Sequence, residues 1–228
     1  MSTTEAPLPS PTELQALATR VLEMARDLGA TQSEASLSYS RGYSVSVRNN
    51  EVESLEFQRD RSLGVTVYIG QRRGNASTGD LSDAGLREAV QAAATIAKVT
   101  EEDPWAGLAE AGRMARAFPD LRLDHPWELS PEEAIERARA CEAAALGVDK
   151  RITQSEGAGL STTRGVAVYA NSHGFVGGRT GTQHSLSCAV IASDTNGAMQ
   201  RDYWWDGGRN PVRFDSPEAI GRRAGTRT

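Results

Sequence analysis

Several residue types and patterns are scarce in this chain. Cysteine occurs twice in 228 residues, at Cys141 and Cys188. Two cysteines do not make a disulfide framework; they read as free thiols of a reducing compartment, which points to the cytoplasm. Histidine occurs three times, at 125, 173 and 184, and no two lie at i, i+4. The helical zinc motif, two His one turn apart with a Glu, is therefore absent. No segment nears the ~18 consecutive apolar residues that a membrane-spanning helix needs. No basic run stands out: 25 Lys+Arg are dispersed among 30 Asp+Glu, giving a net charge of -5. That balance argues against a general nucleic-acid or acidic-membrane surface. There is no G-x-S-x-G elbow, and "GGRTG" has the spacing of neither a P-loop nor a dinucleotide fingerprint. The opening "MSTTEAPLPSPTE" has no positive start and no apolar stretch, so it does not read as a signal peptide.

What is present reads as a globular protein, with 39% hydrophobic and 24% charged residues, long enough for one large domain or two small ones. Pro7, Pro9 and Pro11 suggest an extended leader over residues 1–11. Thr12 with Gln15 fits a capping box, and Leu14, Leu17, Val21, Met24 and Leu28 recur at helical spacing up to Gly29. From Ala35 to Ser77 the period changes to two, as in half-buried antiparallel strands, with Arg41–Gly42 and Asn49–Asn50 as the turns. Ser82 caps a second helix whose core face is Leu86, Ala89, Val90, Ala93, Ile96 and Ala97. Residues 100–129 show no sustained period and read as an ordered connection, with Trp105 and Trp127 as packing anchors. Ser130, Pro131 and Glu133 open a third helix that faces the core with Ile135, Ala138, Cys141 and Ala145. Alternation returns from Ile152, and Ser216-Pro217-Glu218 opens a last helix.

One stretch occurs twice. "TQSEASLSYSRG" (31–42) and "TQSEGAGLSTTRG" (153–165) agree at nine of twelve positions when Gly157 is skipped. Each copy follows a capped helix and starts a β-rich run, and the extra residue sits where a β-bulge would fit. A catalytic set of Ser33, Glu34 and Arg41 used twice would need a base or a metal ligand near each copy, and neither copy has one. The repeat therefore reads as a building block. The expected fold is α+β: two related helix-plus-antiparallel-sheet units with flanking helices. The units span about 12–99 and 130–215 of a domain over 12–215, and 216–228 is a helix leading towards a further domain.

Candidate chemistry is sparse. A His173–His184–Cys188 metal site is conceivable across a Gly-rich hairpin, but solvated loop histidines are the commoner outcome. The most unusual stretch is "MQRDYWWDGGR", 199–209. Aromatic pairs and arginine are enriched at interfaces. On a strand, one of Trp204 and Trp205 must face the core while the other faces out, and the outward one, with Arg201 and Tyr203, is the first candidate for a partner or peptide contact; packing of both in the core is the alternative. An exposed sheet edge could also hold an extended peptide as an added strand.

These residues carry a resemblance. "EDPWAGL", "ITQSEG", "ANSHGF" and "MQRDYW" together resemble the N-terminal half of the TldD/PmbA metallopeptidase family, in its PmbA (TldE) branch, over nearly the whole chain. Asn171, Ser172 and Gly174 fit the family's ANS-x-G turn. The resemblance implies a cytoplasmic complex in which a TldD-type subunit holds zinc through a His-Glu-x-x-x-His motif plus a cysteine. The PmbA-type subunit lacks those ligands and shapes the chamber, and the substrates are extended, unfolded peptides. No residue here matches the metal motif, so no cofactor is expected in this chain. Contact candidates are Arg201, Asp202, Tyr203, Trp204 and Trp205, with Asn171, Ser172 and Gly174. The implied partners are a TldD-type subunit and unfolded peptide, without nucleic acid or membrane. A stand-alone peptide-binding or scaffolding domain is the alternative. Members of the family are roughly twice this long, with a β-rich domain following the helix that begins here at Pro217.

Overall fold

A computed structural model of the chain describes residues 7–117 and 119–228. Of the leader expected over 1–11, positions 1–6 lie outside the described residues. Among the described residues, four α-helices and six strands follow one pattern twice: α1 (Pro11–Asp27), β1 (Gln32–Arg48), β2 (Glu51–Ile69), β3 (Arg72–Thr78) and α2 (Asp83–Val99), then α3 (Pro131–Leu146), β4 (Ile152–Asn171), β5 (Val176–Ser193), β6 (Met199–Gly208) and α4 (Pro217–Arg227). The strands form one antiparallel sheet in the order β3-β2-β1-β4-β5-β6, so the order too is the same series read outward twice. The expected α+β class holds.

Local chemistry explains most helix boundaries. Ser82, Ser130 and Ser216 cap α2, α3 and α4 as the sequence implies, and Glu133 closes the capping box of α3. In α1 the start moves from Thr12 to Ser10. Pro11 takes the first helical position, where it loses no hydrogen bond. The Glu13 carboxylate reaches back 2.6 Å to the Ser10 N–H, so the box is Ser10/Glu13 and not Thr12/Gln15. In α2 the expected core face is right except at Ile96, which is exposed while Ala94 is buried in its place.

Asn49 and Asn50 form the β1–β2 turn with φ of 53° and 64°, the left-handed pair that a tight hairpin turn requires. The other expected turn does not exist. Arg41–Gly42 lies inside continuous β1, and Arg164–Gly165 lies inside β4. These glycines serve close approach. A Cβ on Gly42 would overlap the Thr162 carbonyl oxygen, and one on Gly165 would sit 3.0 Å from the Tyr39 carbonyl oxygen. In the alignment of the repeat, Thr162 stands where Tyr39 does, so each glycine lies against the matching residue of the other copy. Other repeated positions also hold equivalent places. Ser33 and Ser155, Ala35 and Ala158, and Leu37 and Leu160 are all buried. Ser38 pairs with Ser62 at 3.0 Å, and Ser161 pairs with Ser185 at 2.9 Å. The extra residue, Gly157, has φ +106°, and the buried positions slip by one there, from Ser155 to Ala158, as at a bulge.

The chain divides into two compact units, each assembled from separate segments. The first comprises the segment ending at Ser40, Arg59–Leu121 and Gly165–Thr180. The second comprises Arg41–Gln58, Arg122–Arg164 and Gly181–Thr228. The four long strands, of 17 to 20 residues, each contribute a segment to both units, and β1 and β4 change unit at their Arg-Gly dipeptides. In the first unit Leu14, Val21, Leu86, Val90 and Ala93 of the helices pack on Leu37, Val65, Val67, Val166 and Val168 of the strands. In the second, Ala138, Cys141, Ile220 and Ala224 pack on Val45, Val47, Leu160, Leu186 and Val190. Each fully buried large apolar side chain contributes roughly 1.5–3 kcal/mol of transfer free energy.

Candidate functional site

β6 ends the sheet, and its alternating side chains divide cleanly. Trp204 lies opposite Cys188 in β5 and packs into the core of the second unit. The Arg223 guanidinium stacks 3.9 Å from its ring centroid, and Arg227 lies 5.3 Å away. Trp205, opposite Ser187, and Tyr203, opposite Ala189, stand on the other face, 54% and 50% exposed. Arg201, opposite Ile191, continues that face and donates to Glu156 at 2.7 Å. This hydrogen bond holds the Glu156 carboxyl below its usual range. The result is an open strip, with an ion pair at one end and two aromatic side chains over Ala189 and Ser187.

The free edge of β6 is less open than its face. Asp202 turns back to accept the Tyr203 N–H at 2.7 Å, which keeps the Asp202 carboxyl below its ordinary range, and also pairs with Arg227. Asp206 accepts the Gly207 N–H at 2.8 Å and the Asp215 N–H at 2.8 Å, and the Arg201 carbonyl accepts from Gln200 Nε2. Side chains thus occupy backbone groups that an added strand would use, a device that protects sheet edges. The exposed aromatic face, rather than the edge, offers the contact.

Asn171, Ser172 and Gly174 lie in the first unit, whereas residues 201–205 lie in the second. The three form the β4–β5 turn, and each has a backbone task. Asn171 Oδ1 accepts the N–H groups of His173 and Phe175 at 3.1 and 3.3 Å. Ser172 Oγ accepts the Ser33 N–H at 3.0 Å, and Gly174 takes φ +90°. Glu34 and Glu156, the repeated carboxylates, also fall in different units. Glu34 accepts hydrogen bonds from Tyr68 and Tyr169 at 3.1 and 2.7 Å. Burial and this carboxylate raise the Tyr68 phenol.

His173, His184 and Cys188 do not converge. His173 Nδ1 lies 2.9 Å from the Ala109 carbonyl oxygen and so must donate to it. His184 is a core residue, not a solvated one. Its Nε2 donates to the His125 carbonyl at 3.1 Å, and its Nδ1 accepts from Thr162 Oγ1 at 2.8 Å. Trp127 and Phe214 flank the ring, with centroids at 5.3 and 6.5 Å. Burial lowers its pKa, so it stays neutral. Trp127 is thus the packing anchor expected, while Trp105 is 92% exposed.

Comparison with known proteins decides the family. Residues 33–97 match "PmbA/TldA metallopeptidase domain 1" and residues 124–228 match "PmbA/TldA metallopeptidase central domain". The chain belongs to the PmbA/TldD family. It is 47% identical over 196 residues to Metalloprotease PmbA of Escherichia coli O157:H7, covering 86% of this chain and 43% of that protein. Its fold is similar to a candidate modulator of DNA gyrase from Bacteroides thetaiotaomicron, with TM-score 0.86 and 25% identity over 94% of this chain and 49% of the other. TldE from Thermococcus kodakarensis shares the fold, with TM-score 0.73 and 20% identity over 95% and 47%. The chain spans less than half the length of the curated relatives named PmbA that it matches. The first PmbA/TldD region covers most of the series β1 to α2, and the second covers α3 to α4. The family name implies a metal, and the residues here do not fit one. Among the described residues no three His, Cys, Asp or Glu side chains cluster to hold an ion. Both nitrogens of His184 are engaged in the core, and Cys188 lies buried against Cys141.

Proposed function

We propose that this chain is the N-terminal portion of a non-catalytic, PmbA/TldE-type subunit in a TldD/PmbA-type metallopeptidase complex. In this reading the complex works in the cytoplasm on extended, unfolded peptides, and zinc is held by the TldD-type partner. Family membership supports the peptidase assignment. The observation that carries the role of this chain is the β6 strip: Tyr203 and Trp205 stand half-exposed on a rigid strand beside the Arg201–Glu156 pair. Such a strip can hold the side chains of an unfolded segment with little ordering of its own, because aromatic rings give large contact area with few rotatable bonds.

The decisive experiment mixes this chain with a TldD-type subunit and follows cleavage of an unstructured peptide, with and without a chelator. Chelator-sensitive cleavage that appears only in the mixture supports the proposal. Hydrolysis by this chain alone, or stoichiometric zinc in it after purification, counts against it. Peptide binding with no effect on an active TldD-type partner would instead favour a free-standing peptide-binding domain.

A further inference from the structure

The core of the second unit brings the two cysteines of the chain together. Cys141 lies on the face of α3 that Ala138 and Ala145 also turn inward, and Cys188 lies on the inward side of β5 between Leu186 and Val190. A helix and the strand it covers thus present their thiols to one layer, and both are buried. The thiols are hydrogen-bonded to each other, and that contact together with burial pushes the Cys141 thiol far above its ordinary range. The seat is firm on both sides. Gly221 of α4 lies so close to α3 that a Cβ there would overlap the Cys141 carbonyl oxygen, which fixes the helix backbone at that point. Cys188 pairs in register with Trp204, whose indole packs in the same core. A buried cysteine by itself is a small apolar side chain. Two that meet thiol to thiol, nearly fifty positions apart in the sequence, are a dithiol. Among the described residues no third His, Cys, Asp or Glu joins them to hold an ion, so the chemistry open to the pair is their own bond.

We propose that Cys141 and Cys188 are a peroxide-responsive pair, which closes to a disulfide joining α3 to β5 and reopens with a thiol reductant. The co-reactant is a hydroperoxide, small and uncharged enough to reach the core when it opens locally. In the first step the Cys188 sulfur attacks a peroxide oxygen. An S–O bond forms, the O–O bond breaks, and the departing hydroxide takes the Cys188 proton and leaves as water. The Cys141 sulfur then attacks the sulfenic sulfur of Cys188. The S–S bond forms, the S–O bond breaks, and the hydroxide takes the Cys141 proton as a second water. Two thiols are oxidised by two electrons, and one peroxide is reduced to two waters. Cys188 acts first because Cys141 holds its proton, and only a thiolate is a competent nucleophile. Oxidation then ties the helix that clamps the Asn49–Asn50 turn through Glu142 to the strand that carries β6. The pair needs neither the β6 strip nor a partner subunit to react.

The test treats the reduced, folded chain with hydrogen peroxide, alkylates the remaining thiols in urea, and measures intact and peptide masses. The expected product has lost two hydrogens, takes up no alkylating agent and yields one cross-linked peptide pair containing Cys141 and Cys188. Dithiothreitol should restore both thiols. Closing a loop of roughly 50 residues should raise the thermal midpoint of the oxidised chain by roughly 5–15 °C. In C141S the remaining Cys188 should stop at a sulfenic acid that dimedone traps, whereas in C188S the remaining Cys141 should stay a thiol. Two alkylated thiols in the folded chain, under peroxide that does cross-link the urea-unfolded chain, would overturn the proposal. Sulfinic acid on Cys188 without the cross-link would do the same. So would a cross-linked chain that melts below the reduced one, because the sulfurs would then meet only by distorting the fold. These three outcomes are read on the wild-type chain and stand even if neither serine variant folds.

Discussion

The buried carboxylate of Glu142 accepts the Asn49 N–H at 2.8 Å. Its second oxygen accepts the Asn50 N–H at 2.8 Å, and Ser155 Oγ donates to the first at 2.5 Å. A helix residue thus clamps a hairpin turn more than ninety positions earlier in the chain, and a serine of the repeat completes the clamp. E142Q places an amide NH₂ opposite a backbone N–H, so one donor loses its acceptor. The expected cost is about 1–3 kcal/mol of unfolding free energy, read from the urea midpoint. A change below about 0.5 kcal/mol would show that water replaces the clamp.

The Arg-Gly dipeptides predict an asymmetric pair of variants. In G42A the new methyl overlaps the Thr162 carbonyl, and backbone must shift to admit it. In G165A the nearest atom is the Tyr39 carbonyl oxygen at 3.0 Å, which a small movement relieves. G42A should lose about 3 kcal/mol or more and G165A less. G64A, where nothing lies within 4 Å, is the control and should stay near wild type. Equal changes for G42A and G64A would show that the close approach to Thr162 does not decide the effect.

Trp204 and Trp205 are adjacent and should behave oppositely. W204A removes an indole that fills the core of the second unit beneath Arg223, and should cost about 2 kcal/mol or more. W205A removes an exposed ring and should leave the unfolding midpoint nearly unchanged. In the mixture with a TldD-type partner, W205A should raise KM for an unstructured peptide several-fold with kcat little affected, because a binding contact is lost. An unchanged KM in a mixture that cleaves peptide would remove β6 from the peptide path.

His184 gives the fold a pH dependence of known sign. Burial lowers its pKa in the native state, so the unfolded chain binds the proton more readily. Its stabilising contribution is complete above the unfolded value of about 6.5 and is lost as pH falls from there through the native value. Unfolding free energy should therefore decline below about pH 6.5, by at most about 1.4 kcal/mol per pH unit from this group. H184Q, which can keep one hydrogen bond to Thr162 or to the His125 carbonyl, should be less stable at pH 7.5 but show a flatter decline to pH 5.5. Parallel curves for both proteins would assign the decline to other groups.

Much of the fold is legible in the sequence because its signals are local. Serine caps with prolines behind them, the Asn49–Asn50 turn and period-two alternation depend on neighbours within a few residues. The repeat is legible for the same reason, since identical local sequence builds identical local structure. Arg41–Gly42 misleads because glycine permits both a tight turn and a close strand approach. Only the partner strand tells them apart, and that partner is about 120 residues away. Glu142 gives no warning either: it shares a helix with other glutamates, and burial becomes tolerable only once two N–H groups and a hydroxyl converge on it. His184 follows the same rule, being acceptable in a core only where Thr162 and the His125 carbonyl meet both its nitrogens. The β6 strip was half legible, since alternation requires one tryptophan outward but not which.

Residue type and short-range spacing sufficed for the α+β class, the helix starts except the first, the repeated helix-plus-antiparallel-sheet unit and the resemblance to the PmbA/TldD family, but not for the number of strands in each unit. Tertiary structure alone decided that each long strand serves both compact units. It turned the repeated glycines into points of close approach and placed the two halves of the candidate contact set in different units. It also left Trp105 in water and His184 in the core. Those outcomes depend on which side chains distant segments bring together, and burial is a property of that assembly, not of any residue within it.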